Sequence, residues 1–303
     1  MQNDSLKSYL HFHFIVFIWG FTAVLGALIS IDTVALVWYR MLIASLFIYI
    51  YIRYKKIPLG ASKSTRLKLA GAGIIIALHW LTFFGAIKLA NVSITLAMLS
   101  TGAFFTSILE PIFYKRKVIW YEIVFGLFVI AGLYLIFEVE TRYTEGIIVA
   151  LISALLSAIF TLINGKFVQQ HHPVMISFYE LLTGALFITV FLAVTARFDA
   201  QFFNLNQSDW IYILILATIC TAYAFIAAIK VMKYLSPYTV MLTTNMEPVY
   251  GIILAYVILG DTEEMNTGFY YGAVLILLTV IGNGILKSQR KWRTARQLKK
   301  QVK

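Results

Sequence analysis

The stretch YRMLIASLF at residues 39–47 recurs 140 residues later as YELLTGALF at residues 179–187. Shorter matches follow in the same order, and these are AIK at 86–88 with AIK at 228–230 and AML at 97–99 with VML at 240–242. Each match is short, but their common order and spacing indicate an internal duplication. The chain is therefore interpreted as two copies of one unit.

Hydrophobic residues make up 60% of the 303 residues and charged residues 13%. Soluble domains are closer to about 45–50% apolar and about 25% charged, so this composition favours a protein embedded in lipid. A helix that crosses a bilayer needs about 20 apolar residues. Ten apolar segments of roughly that length lie at 10–29, 33–52, 67–87, 92–114, 119–137, 146–167, 174–196, 210–229, 237–259 and 268–286.

Five segments fall in each copy, and because five is odd, the second copy enters the membrane from the opposite face. We predict a first repeat at residues 10–138, a second at 145–287 and a basic cytoplasmic tail at 288–303. Inverted repeats are typical of secondary transporters, whose substrate site lies near the membrane midplane between the repeats. The predicted fold is an all-α membrane protein with ten transmembrane helices in two inverted five-helix repeats.

Basic residues alternate strongly between the two sides of these segments. One side collects 21 of the 25 lysines and arginines, the other has only Lys88, Arg142 and Arg197, and Arg40 lies within a segment. Cytoplasmic loops carry an excess of basic residues, which predicts cytoplasmic termini in a multi-pass protein of the cell's inner (plasma) membrane. A segment missed in the middle would abolish the alternation, so the charges independently support an even number of helices.

The basic tail predicts a contact with anionic lipid headgroups. Although the net charge is +11, the basic residues lie between and after apolar segments, so we expect no nucleic acid partner. The sequence gives no indication of oligomeric state. Cys220 is the only cysteine, which excludes an internal disulfide.

Two other classes of function stay open at this stage. An intramembrane enzyme acting on lipid-linked substrates would need polar side chains converging in reacting geometry, whereas a scaffold or receptor-like subunit would be a bundle without a cavity. The sequence has no HExxH, GxSxG, Walker A or GxGxxG motif, and the adjacent His171 and His172 lack metal-site spacing. We therefore predict no catalytic residues, no metal and no cofactor.

Several short motifs carry a resemblance to a known family: Trp19-Gly20, Arg40, Leu235-Ser236-Pro237, Glu247-Pro248, Leu259-Gly260-Asp261 and Gly272. With them, the chain resembles an EamA-type transporter of the drug/metabolite transporter superfamily over nearly its whole length. The resemblance implies two five-helix repeats around a central cavity and export of amino acids or related metabolites. The expected partner is a small-molecule substrate.

Glu247 is a first candidate for the substrate pathway, because ionisable side chains inside a bilayer are rare and mostly functional. It precedes Pro248 and shares a helical face with Thr239, Thr243 and Tyr250. Pro248 removes a backbone hydrogen bond and loosens the preceding turn. The alternative is a kinked packing helix in which Glu247 bonds to a neighbour.

Glu110 and Thr106 form a similar group before Pro111, where water from the cytoplasmic end is the alternative explanation for the carboxylate. Arg40 and Glu180 occupy equivalent repeat positions. Arg40 would suit a carboxylate or phosphate on the substrate. The alternatives for both residues are a reach toward the headgroups or a pair with another helix.

Polar residues at helical spacing in the sixth segment, Ser153, Ser157, Thr161 and Asn164, fit either helix–helix hydrogen bonds or a cavity wall. His79, Trp80 and Trp19 offer aromatic surface for a substrate side chain, although most aromatics here are expected to be structural. The candidate substrate-pathway residues are Trp19, Arg40, His79, Trp80, Thr106, Glu110, Ser157, Asn164, Glu180, Thr243, Glu247 and Tyr250.

Overall fold

Helices make up the regular secondary structure of the computed structural model, which describes residues 2–115, 117, 120–200, 202–279, 281, 282, 285 and 286. Over these residues there is no strand, and eight spans are long and apolar enough to cross a membrane. Two shorter apolar helices, Val124–Glu138 and Thr267–Thr279, bring the number of spans to ten. The predicted ten-helix fold with two repeats is confirmed. The predicted basic tail lies outside the described residues.

Some spans contain more than one helix, so the helices outnumber the spans. In chain order they are α1 (Gln2–Leu28), α2 (Thr33–Lys55), α3 (Lys63–Leu89), α4 (Val92–Leu99), α5 (Gly102–Tyr114), α6 (Trp120–Val139), α7 (Thr144–Phe167), α8 (Pro173–Val194), α9 (Gln207–Ala217), α10 (Ala224–Val231), α11 (Pro237–Thr244), α12 (Glu247–Leu259) and α13 (Thr267–Thr279).

Polar residues at the segment boundaries decide where several helices begin. The side chains of Asp32, Ser62, Asn91, Asn206 and Ser236 each accept a hydrogen bond from a backbone N–H in the first turn of the helix that follows. Such caps satisfy donors that have no partner within the helix. Where little water is present to bond these donors, each cap fixes the residue at which its helix begins.

Two spans are broken at equivalent places. In the first repeat, α4 has 8 residues and α5 has 13, separated by Ser100 and Thr101. In the second repeat, α11 has 8 residues and α12 has 13, separated by Asn245 and Met246. The four pieces pack crosswise, α4 against α12 and α5 against α11, so the breaks of the two repeats meet inside the bundle.

A third irregularity has no counterpart in the other repeat. Between α9 and α10 the backbone forms a π-helical turn at Thr218–Tyr223, whereas the equivalent α3 runs as one continuous α-helix of 27 residues. Thr221 Oγ1 donates to the carbonyl oxygen of Leu216, five residues back, at 2.7 Å. Such bulges occur frequently at functional sites.

Buried carboxylates tie the connections together on the side with few basic residues. Glu263 accepts backbone N–H bonds from Val92 at 3.1 Å and Ser93 at 2.8 Å, at the start of α4. Asp209 accepts from the backbone and hydroxyl of Ser30 at 2.8 and 2.6 Å, which joins the two repeats. Glu263 and Asp209 therefore hold helix ends in place.

Candidate functional site

A cavity lies between the two repeats, beside the breaks in their helices. Its volume is about 70 Å³, room for several water molecules. Its walls come from both repeats, and the lining residues are Trp19, Thr22, Arg40, His79, Trp80, Phe83, Leu99, Ser157, Phe160, Thr161, Asn164, Cys220, Phe225, Ala228, Ile229, Met232, Val240, Met241, Thr244 and Glu247.

Arg40 provides the positive charge of this cavity. Its side chain is only 2% exposed, and its Nε donates to Thr221 Oγ1 at 2.6 Å. The guanidinium carbon lies 3.9 Å from the centre of the Trp80 ring, a cation–π contact. Arg40 Nη1 is buried and has no hydrogen-bond partner. The guanidinium is thus held at Nε by the Thr221 hydroxyl and on one face by the Trp80 ring, while the strong donor Nη1 makes no hydrogen bond.

The sequence left two roles other than substrate binding open for Arg40, namely a contact with lipid headgroups or a pair with a residue on another helix. The residue is buried on the cavity wall, and no carboxylate among the described residues lies within ion-pair distance of it. Its contacts are a hydroxyl and an aromatic face. This arrangement holds the positive charge on the cavity wall without pairing it to a carboxylate of the described residues.

Glu247 provides the negative charge. It is the first residue of α12, directly after the helix break, and Pro248 occupies the next position. The carboxylate lines the cavity and is 5% exposed, and within the described part of the chain no hydrogen bond reaches it. A carboxylate in the first turn interacts favourably with the helix dipole. Arg40 and Glu247 also interact electrostatically without direct contact.

His79 is held in one orientation by Ser153 of α7. Its Nδ1 lies 2.9 Å from the backbone carbonyl oxygen of Ser153, while the Ser153 hydroxyl donates to the carbonyl oxygen of His79 at 3.0 Å. The Ser153 hydroxyl lies equally close to Nδ1, at 2.9 Å, so the proton is on Nδ1 when that nitrogen donates to the carbonyl oxygen and on Nε2 when it accepts from the hydroxyl. The remaining ring nitrogen, Nε2, is then free to contact an occupant of the cavity.

Aromatic rings cover much of the remaining wall. Trp80 and Phe225 meet edge to face with ring centroids 6.0 Å apart, and Phe160 lies 5.3 Å from the His79 ring. Trp19 closes the cavity from α1. These rings form an apolar surface next to the two charges, suited to a hydrocarbon or aromatic group.

The polar stripe of α7 was predicted to form either helix–helix hydrogen bonds or a cavity wall, and its members do both. Ser157, Thr161 and Asn164 line the cavity, whereas Ser153 is fully buried in its contact with α3. The Asn164 amide also donates from Nδ2 to Glu180 Oε2 at 3.2 Å. The stripe therefore forms both a cavity wall and a helix–helix contact.

Five predicted pathway residues are not among the residues that line the cavity. Glu180 is fully buried behind Asn164. Thr106 and Thr243 donate to carbonyl oxygens four residues back in their own spans, Glu110 is buried on α5, and Tyr250 packs on Phe17 with ring centroids 5.5 Å apart. Their participation in the substrate pathway stays a prediction.

Other residues at the cavity were not among the candidates. Thr244 lines it in place of Thr243, because the span is interrupted directly after Thr244 and one continuous helical face no longer exists. Thr22 and Cys220 also line it. Thr221 holds Arg40 because the π-helical turn presents its hydroxyl. Thr244 and Thr221 both lie within apolar runs, and the sequence alone did not indicate that the first lines the cavity or that the second bonds to Arg40.

The sequence pattern of the EamA-like transporter family matches the chain twice, over residues 6–138 and 144–285. The chain belongs to the EamA-like transporter family. The predicted resemblance is thereby confirmed, and with it membership of the drug/metabolite transporter superfamily. This EamA-like protein is a multi-pass membrane transporter.

Two relatives from different organisms are also described as transporters. An uncharacterized transporter of Clostridium kluyveri is 24% identical over 258 residues, which cover 82% of this chain and 79% of that protein. An uncharacterized transporter of Archaeoglobus fulgidus is 24% identical over 155 residues, 51% of this chain and 50% of that protein. A solved structure described as "Crystal structure of protein" matches with a TM-score of 0.67 at 14% identity, covering 90% of this chain and 97% of that one. That likeness concerns the fold alone.

Proposed function

We propose that this EamA-like protein is a secondary active transporter that exports a small zwitterionic metabolite, an amino acid or related compound, across the cytoplasmic membrane by alternating access. The observation that carries the proposal is the pair of opposite charges on the cavity wall, Arg40 and Glu247, which are not in direct contact.

Each charge suits one end of a zwitterion. The unused Nη1 donor of Arg40 would bind a carboxylate, and such charge-assisted bonds are strong in a site with little water. Among the described residues no group donates a hydrogen bond to the Glu247 carboxylate, which would accept from an ammonium group. The rings of Trp80 and Phe225 would cover an apolar side chain between these two ends.

The helix breaks supply the elements that would move. α4 packs on α12 and α5 on α11, so each repeat contacts the half-helices of the other next to the cavity. Broken helices at the interface of inverted repeats are typical of transporters that rock around a central site. A volume of about 70 Å³ is small for a metabolite, so the walls must separate when the substrate enters or leaves.

The charge distribution supports the orientation. With 21 basic residues on one side of the spans and three on the other, the positive-inside rule supports the proposal that both termini are cytoplasmic. A cavity lined by charged groups also distinguishes this proposal from a scaffold, for which a cavity-free bundle is expected.

The test is transport by purified protein in proteoliposomes. A panel of labelled amino acids would be compared with their N-acetyl and carboxamide derivatives, which each lack one of the two charges. We expect rapid movement of zwitterions with apolar side chains and at least about tenfold slower movement of both derivatives, since each buried charge pair contributes more than about 1.4 kcal/mol. Equal rates for all three forms would contradict the proposal.

A further inference from the structure

Glu180 and Asn164 form a buried pair in which each side chain has one unsatisfied oxygen. Both residues are 0% exposed, and Asn164 Nδ2 donates to Glu180 Oε2 at 3.2 Å. The other oxygen of each group, Glu180 Oε1 and Asn164 Oδ1, is buried without a hydrogen-bond partner. The pair thus buries two acceptor oxygens where α7 meets α8, and neither oxygen has a donor among the described residues.

Among the residues that the structure describes, no charge near this pair compensates an ionised carboxylate. The elements around Glu180 are α2, α3, α7 and α10. Their buried titratable groups face other partners, and these are Arg40 bonded to Thr221, His79 bonded to Ser153 and Tyr39 bonded to the carbonyl oxygen of Phe202. Tyr49, stacked on Phe178, and Lys166, bonded to the carbonyl oxygen of Phe113, are exposed. Their remaining charged groups are exposed, and these are Arg53, Lys55, Lys63, Arg66, Lys68, Lys88, Glu145 and Lys230.

An unpaired ionised carboxylate in such a place is very unfavourable, and a buried group in this situation takes up a proton instead. A proton on Glu180 Oε1 would also supply the missing donor. The acid O–H would face Asn164 Oδ1 while the Asn164 amide already donates to Glu180 Oε2, which closes a ring of two hydrogen bonds. One proton therefore satisfies both unpartnered oxygens at once.

We propose that Glu180 and Asn164 form a proton-binding site, in which a protonated Glu180 and the Asn164 amide pair through two hydrogen bonds. This site is separate from Glu247, whose carboxylate lies on the cavity wall itself. Its ligand is the proton, taken from water when the site is hydrated and returned to water when the carboxylate ionises.

The site is connected to the transport cavity through Asn164, which lines the cavity and contacts Glu180 at the same time. Behind Glu180, α3 and α8 approach closely at Gly73 and Gly184, where a Cβ on Gly184 would lie 2.8 Å from the carbonyl oxygen of Gly73. Water can reach the carboxyl only when α7 or α3 moves away from α8. Proton release is thereby linked to the helix motion that opens the cavity, and this link rests on the proposed transport function.

The proton itself is the probe for the first experiment. Infrared spectroscopy of the full chain in proteoliposomes, recorded against pH in water and in heavy water, detects the carbonyl stretch of protonated carboxyl groups. At neutral pH we expect such a band in the wild type and in the control variant Glu247→Gln, and its loss in Glu180→Gln. A band of unchanged intensity in Glu180→Gln would overturn the proposal.

The Glu180→Gln variant also tests the ring. A glutamine amide can pair with Asn164 through the same two hydrogen bonds, so the variant should fold and melt at the wild-type temperature. Failure to fold would contradict the proposed pairing. The double variant Asn164→Asp with Glu180→Gln exchanges acid and amide between the helices, and we expect it to regain the infrared band.

A transport measurement separates this inference from the proposed function. If solute movement responds to an imposed pH gradient in the wild type, Glu180→Gln should lose that response while the exchanged pair recovers it. The infrared experiment needs no substrate, so the proton site is tested even if the zwitterion proposal fails. A pH response that persists in full in Glu180→Gln would overturn the coupling role.

Discussion

Arg40 and Glu180 occupy equivalent positions of the two repeats, 140 residues apart, but they have different neighbours. Next to Arg40 the chain forms the π-helical turn at Thr218–Tyr223, which contacts α2 and presents the Thr221 hydroxyl to the guanidinium. Next to Glu180 the continuous α3 approaches α8 at Gly73, and within the described part of the chain the carboxyl has only Asn164 as a hydrogen-bond partner.

Under the two proposals above, the difference gives one duplicated unit two functions. The duplication places both residues in the second span of their repeat, facing the interior, while the adjacent helix decides whether the side chain reaches the cavity. A widened turn leaves Arg40 on the cavity wall, where it can meet a solute. A close backbone contact of α3 with α8 encloses Glu180, which is fully buried and is proposed to bind a proton.

The largest effect is expected from the Arg40 side. Replacing Arg40 by alanine removes the charge that is proposed to bind the substrate carboxylate, and we expect transport to fall by about 100-fold, in line with about 2–5 kcal/mol for truncating a buried charge partner. Arg40→Lys should recover only part of this loss, because an ammonium group lacks the planar fork. Rates in proteoliposomes provide the measurement.

The control for Arg40 lies on the same helix. Arg53 is exposed at the other end of α2, so Arg53→Ala should transport at the wild-type rate. Equal losses in Arg40→Ala and Arg53→Ala would indicate a general effect of removing positive charge from α2 rather than a binding site.

On the Glu180 side, Gly73→Ala should break the close contact of α3 with α8. The new Cβ would collide with the Glu180 carbonyl oxygen and the Thr183 hydroxyl, so we expect a loss of about 1–3 kcal/mol in the free energy of unfolding, typical of overpacking. Gly71→Ala is the matched control, because nothing lies within 4 Å of a Cβ at that position. Thermal unfolding in detergent compares the two, and equal stability would show that α3 and α8 are not in close contact.

Glu247→Gln sharpens the assignment of the second charge. The variant should transport a zwitterion about tenfold more slowly, the loss of about one charge-assisted hydrogen bond. The N-acetyl derivative, which has no ammonium group, should be unaffected. Parallel losses for both solutes would place the carboxylate outside substrate recognition.

The smallest effect is expected from Thr221→Val, which removes the hydroxyl that holds Arg40 Nε but leaves the contact with Trp80. Loss of one hydrogen bond contributes about 1 kcal/mol, so transport should slow by about fivefold. A Michaelis–Menten comparison of the variant and the wild type measures this change. Complete inactivity would mean that the π-helical turn itself, rather than the orientation of Arg40, is required.

Much of the fold could be predicted from the sequence, because its determinants are local. Apolar segments of bilayer length, alternating basic loops and capping residues such as Asn91 and Ser236 each act through their own few residues. The repeated stretches at 39–47 and 179–187 also predict that Arg40 and Glu180 occupy equivalent positions of the two repeats.

The site could be predicted only in part, because its details depend on contacts between distant helices. The π-helical turn arises within an apolar run that gives no local sign of it, so the role of Thr221 was not predicted. The break after Thr244 placed that residue at the cavity rather than Thr243. Glu110 and Glu247 both precede a proline, yet only Glu247 lines the cavity.

The most direct test of the central claim is a cycle of four transport rates in proteoliposomes. Wild type and Arg40→Ala would each be measured with a zwitterion of the active panel and with its carboxamide, which lacks the carboxylate. If Arg40 binds that group, the variant loses about 100-fold on the zwitterion and almost nothing on the carboxamide. An equal loss on both solutes would contradict the account.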